Sequence, residues 1–148
     1  MQMSAADIKK YPKFARYVSV SIPRDIIPNN FILGKIKKFS GDISTAKIKE
    51  ALTWGKGPMV KITDLPEGTL GEFTPDSNSN ELRIDVDVVK EFESGKGLRK
   101  TPRGAMVYLA GVTLLHELTH WADDQDGIDT PGEEGERFER EVYGGVID

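Results

Sequence analysis

Both histidines of this 148-residue chain fall in one five-residue run, His116-Glu117-Leu118-Thr119-His120. The run closes an apolar stretch in which Met106, Leu109, Val112 and Leu115 recur every three residues. That spacing argues for a helix, and a helix fixes where the two histidines point. Residues four apart lie on one face, one turn apart. The sequence predicts that this helix starts at Thr101-Pro102, with Thr as N-cap and Pro at the first helical position. It should run to about Trp121.

Two imidazoles so placed can both ligate one ion. Glu117 sits one step round the helix, where it reaches a water at that ion without ligating it. This is the H-E-x-x-H arrangement of zincins, two zinc ligands and a general base. Zinc lowers the pKa of a water to about 7. Glu117 would take the proton as that water attacks a carbonyl carbon. The bland alternative is two solvent-facing histidines at a helix end. The metal reading is favoured because the chain places every histidine here, in register with a glutamate, on a capped apolar helix.

A catalytic zinc takes three protein ligands and keeps a fourth position open. With no third histidine and no cysteine, the third ligand must be a carboxylate. Asp126, six residues after His120, stands where metzincins have their third ligand, but Asp123 replaces the glycine of that pattern. Glu134 precedes Gly135. Glu139 follows His120 by nineteen residues, the spacing of gluzincins such as the zinc aminopeptidases. It also falls in a helical stripe with Phe138, Val142 and Val146, and a carboxylate on a buried face needs a partner. Glu139 is therefore the favoured third ligand; pairing with Arg103 or Arg140, or plain exposure, is the alternative. Tyr143, one turn on, could support an oxyanion, although packing the last helix is the simpler role. Asp123, Asp124 and Asp129 line or solvate the loop, or hold the second nitrogen of a ligating histidine.

Charge is uneven around this motif. Before Glu117 the chain carries 18 basic and 13 acidic residues; from Glu117 onward it carries 2 basic and 11 acidic ones. The balance gives no argument for nucleic-acid binding. No apolar run approaches the ~20 residues of a membrane span, and the N-terminus lacks the pattern of a secretory signal peptide. Without cysteine, thiol catalysis and Cys-based zinc sites are excluded.

The remaining pattern predicts a single α+β domain over residues 1–148. Ser4 should cap a short helix that breaks near Pro12. Val18–Ile22 alternates like a strand, and Pro23–Asn30 reads as loop. Asp42 or Ser44 should cap a helix to Trp54. Strands are expected at Met59–Thr63, Leu70–Thr74 and Glu81–Asp85, the last two as a hairpin, in a small, mostly antiparallel sheet. Val86–Phe92 reads as a short helix. Thr130-Pro131-Gly132-Glu133 is a capping box for a last helix to about Tyr143. One strand of the hairpin could pair with extended substrate, or both could be internal.

The runs Leu114–Gly127 and Glu133–Gly144 resemble the metallopeptidase domains of bacterial polymorphic toxins, the Tox-MPTase group. Gly71–Pro75 and Leu82–Asp85 are similar to that group's hairpin. The resemblance covers roughly residues 70–148; residues 1–69 carry none. It implies a toxin or effector delivered to another cell without a classical signal peptide, a protein or peptide substrate, and a cognate immunity protein. A plain cytoplasmic peptidase is equally compatible with the missing signal. Two other readings stay open. One is a metal-dependent amidase acting on cell-wall peptides. The other is a non-catalytic module held together by metal, disfavoured because structural zinc sites are usually Cys-rich.

Overall fold

The computed structural model describes residues 1–127 and 132–148. Ser4 opens α1 (Ala5–Lys10) by accepting the Asp7 N–H at 3.2 Å. Pro12 starts α2 (Pro12–Arg16), at a position where its missing N–H costs nothing. The chain stays helical through a widened π turn (Tyr17–Ser21) into α3 (Ile22–Ile26). The strand expected at Val18–Ile22 is therefore not formed. Phe14, Val18 and Ile22, four apart, are buried, whereas Val20 is 44% exposed. The burial period is helical, and five residues are too few to tell it from alternation. The loop expected from Pro23 is also shortened, since Pro23 stands in the first turn of α3. Asn29 then caps α4 (Asn30–Phe39), a helix that the sequence reading omits. Ser44, one of the two expected caps, opens α5 (Thr45–Leu52).

Three strands form one sheet in the order β1 (Met59–Thr63), β3 (Glu81–Asp85), β2 (Gly71–Glu72). β2 and β3 are the expected hairpin, antiparallel with Gly71 opposite Ile84. β1 joins β3 in parallel, Met59 opposite Glu81, so the sheet is mixed rather than mostly antiparallel. Asp85 ends β3 and caps α6 (Val86–Glu93).

The segment after α6 departs from expectation. Thr101-Pro102 does not start a helix. Thr101 instead closes the turn of a hairpin, β4 (Leu98–Lys100) with β5 (Met106–Tyr108). Its N–H reaches the Ala105 carbonyl at 2.7 Å and its hydroxyl accepts the Ala105 N–H at 3.1 Å. Gly104, at φ +86°, makes the tight return possible. The same Thr-Pro chemistry that caps helices also makes turns.

The central helix, α7 (Leu109–Asp124), follows directly. It packs against α4, β3 and α8 (Glu134–Tyr143). Of its sixteen residues only His116, His120 and Asp124 are not buried. A helix buried nearly all round lies within the core. Here it leaves one open strip, at four-residue spacing, and both histidines lie on it. Residues 1–69 share the core with the rest: Phe14, Val18, Leu33, Ile36 and Ile48 are buried in one cluster with Leu114, Leu118 and Phe138.

Candidate metal centre

α7 supplies both imidazoles, with ring centroids 5.1 Å apart. The start of α8 crosses the open strip and brings up the carboxylates. Gly135 lies against the His116 ring, where a Cβ would overlap its Cδ2–Nε2 edge. Only glycine lets the two helices meet this closely.

Each histidine meets a buried carboxylate through Nδ1. Glu139, 3% exposed, places Oε1 2.5 Å from His116 Nδ1. Its Oε2 accepts the Ile147 N–H at 2.7 Å. Glu134, 2% exposed, places Oε2 3.3 Å from His120 Nδ1. A carboxylate on Nδ1 fixes the ring and the tautomer, which leaves the Nε2 lone pair for an ion. Burial opposes the charged form of His116, but the hydrogen bond it donates to Glu139 and the charges of Glu117, Glu139 and Glu133 together raise its pKa.

A third donor comes from Glu133, the residue just before α8. One donor atom each from His116, His120 and Glu133 lies within 4.8 Å of the others. Glu133 Oε2 is 3.9 Å from His120 Nε2, and the side chain is largely exposed. The sequence reading missed Glu133 as a donor because it assigned that side chain to the capping box. Thr130 and Pro131 of that box, and Asp129, lie outside the described residues. The signal that could have found Glu133 is the Glu133-Glu134 pair, two adjacent carboxylates in front of a helix that faces the motif.

Glu117 lies beside this group, with Oε1 4.0 Å from His116 Nε2. It is 6% exposed. In the metal-free protein, burial pushes its carboxyl up to about 7, against the pull of His116. Strand β2 presses on it from above: a Cβ on Gly71 would sit 2.8 Å from Glu117 Oε1 and from Thr113 Cγ2. Gly71, Thr113, His116, Glu117, Glu133, Glu136 and Glu139 all line a cleft of about 390 Å³.

The other expected residues lie elsewhere. Asp126 is against Gly41, after α4, and is not in the donor group. Arg103 donates to the Glu141 and Val142 carbonyls and Arg140 pairs with Glu136, so neither occupies Glu139. Tyr143 lines a different cavity. Asp123 is buried and Asp124 half-buried, both at the end of α7.

The donor set, two imidazoles and carboxylate oxygens, is chemically suited to a divalent cation such as zinc. Three buried carboxylates, Glu117, Glu134 and Glu139, lie beside the two imidazoles, an environment that favours a cation. A family model described as metallopeptidase toxin 3 matches residues 7–144. The chain belongs to the metallopeptidase toxin 3 family. The match spans nearly the whole chain, including helices α2 to α5, in which the sequence alone showed no family likeness. Comparison with curated proteins and with solved structures gave no match. No helix among the described residues is long and apolar enough to cross a membrane.

Proposed function

We propose that this metallopeptidase toxin hydrolyses peptide bonds with one zinc ion held by His116, His120 and Glu133. Glu139 and Glu134 would orient the two imidazoles. The observation that carries the reading is the open strip of α7, where two histidines, each backed by a carboxylate, meet a third donor beside the buried Glu117. Bound zinc would supply Lewis acidity toward a carbonyl oxygen and toward water. Glu117 would take the proton from the attacking water and return it to the leaving amine. Its burial disfavours the charged form, which suits a group that must hold a proton between the two steps.

Glu139 remains the rival for the third position, on the strength of its spacing. Its two oxygens are already engaged by His116 and Ile147, which favours Glu133.

The substrate would lie along β2. This edge strand borders the cleft at Gly71, and the sheet ends with it. An extended peptide could continue the sheet there through main-chain hydrogen bonds, its scissile bond next to Glu117. The protein would act as a toxin delivered into another cell, and a producing cell would need an immunity protein that blocks the cleft. A metal-dependent amidase acting on cell-wall peptides would use the same groups.

Digestion of a peptide library and of peptidoglycan by zinc-loaded protein tests the reading. Cleavage of peptides by the wild type and not by Glu117→Gln is expected. Cleavage of peptidoglycan alone would favour the amidase, and equal cleavage by both proteins would remove Glu117 from the mechanism.

A further inference from the structure

A second and larger cavity, about 540 Å³, lies on the other side of α7. Gly111, Val112 and Leu115 face it. Among the described residues, none lines both this cavity and the cleft at the metal centre. The cavity is therefore separate from the metal centre, although both are built on α7 and α8. Its volume falls within the ~300–1,000 Å³ of small-molecule sites.

The walls are aromatic and aliphatic, with Phe92 and Tyr108 on one side and Ile22 and Ile32 on another. Tyr17 and Tyr143 line it among these groups, with Tyr108 more exposed at 39%. Tyr143 is 9% exposed, and Tyr17 packs its hydroxyl against Gly111, where any Cβ would overlap it. Neither hydroxyl makes a hydrogen bond among the described residues. Neither is a sealed, unpaired group, so each can donate to a ligand in the cavity that supplies acceptors. Burial raises the pKa of both, which keeps them protonated and able to donate.

The mouth of the cavity is cationic. Lys13, Arg16 and Arg24 line it and are exposed. Asp25 neutralises Arg24 at 2.9 Å, and among the described residues nothing neutralises Lys13 or Arg16. The π turn Tyr17–Ser21 forms part of the wall. Such turns inside α-helices are frequent at functional sites.

We propose that this cavity binds a small amphipathic anion, with an apolar body against Phe92, Val112 and Leu115 and a carboxylate-like head. Tyr17 and Tyr143 would donate to the head, and Arg16 and Lys13 would hold its charge. The proposal does not depend on the metal-centre reading, since it uses none of those residues.

Dodecanoate, kept below its micelle concentration, is the probe, and dodecylammonium is the control with the same chain and opposite charge. Calorimetric titration of the full chain should show one equivalent of dodecanoate, with a dissociation constant below about 100 µM, consistent with ~0.4 kcal/mol per heavy atom. Dodecylammonium should bind at least ~10-fold more weakly. Tyr17→Phe and Arg16→Gln should each weaken dodecanoate by ~10-fold, the loss of one charge-assisted hydrogen bond. Dodecanoate should also raise the melting temperature of the wild type, and of Glu117→Gln equally. No saturable binding of dodecanoate, equal binding of the two probes, or wild-type affinity in both variants would overturn the proposal.

Discussion

Glu139 bridges His116 to the backbone of Ile147: one oxygen lies 2.5 Å from Nδ1 and the other accepts the Ile147 N–H at 2.7 Å. The carboxylate is thus fixed at both ends, and it fixes the imidazole. This makes a ranking of the two glutamates measurable. Glu133→Ala should lower zinc affinity by more than ~100-fold, as removal of a direct ligand does. Glu139→Gln should cost ~10–100-fold, as removal of a ligand's partner does. Competition with a zinc indicator measures both, and the reverse order would make Glu139 the ligand.

Gly135 should be as necessary as a ligand. A Cβ there would overlap the His116 ring, which is pinned by Glu139 on one side and by α7 behind it. Gly135→Ala should therefore lose zinc while the helical circular dichroism of the protein persists. Zinc binding at wild-type strength in that variant would show that α8 can shift without cost.

Glu117 is the proposed general base. It is buried, and its charge is disfavoured in the metal-free protein. Glu117→Gln should lower kcat by ~10²–10⁴-fold, the usual worth of a general base. The metal-free variant should melt no lower than the wild type, because a neutral isostere removes a desolvation cost. A loss of stability with activity kept would assign Glu117 a structural role.

The core around α7 sets the strip's position. Leu118 is fully buried, two residues before His120. Leu118→Ala should destabilise the protein by about 2–5 kcal/mol, the range for a leucine truncated in a packed core. Urea unfolding checks this, and a cost under ~1 kcal/mol would mean that α7 is less tightly held than its burial implies.

The motif was legible in the sequence because it depends on local spacing alone: four residues on a helix place two imidazoles together whatever surrounds them. The hairpin β2–β3 and the caps at Ser4 and Ser44 were legible for the same reason, since turn and cap chemistry is short-range. What failed were the places where one local pattern serves two structures. Thr101-Pro102 suits a helix start and a hairpin turn equally, and only the pairing of Leu98 with Tyr108 decides. Val18–Ile22 alternates, yet packs with a period of four beside Phe14. The partners of the histidines are the hardest case. Glu133, Glu134 and Glu139 all precede or occupy one helix. Which atom each one meets depends on how closely Gly135 lets that helix approach.

Zinc K-edge X-ray absorption on metal-free protein loaded with one equivalent of zinc tests the central claim most directly. Two imidazole nitrogens at about 2.0–2.1 Å, completed by oxygen donors at about 2.0–2.2 Å and no sulfur, are the predicted shell. One imidazole should be lost in each of His116→Ala and His120→Ala. A shell with fewer than two imidazoles in the wild type, or no tightly held zinc at all, would contradict it.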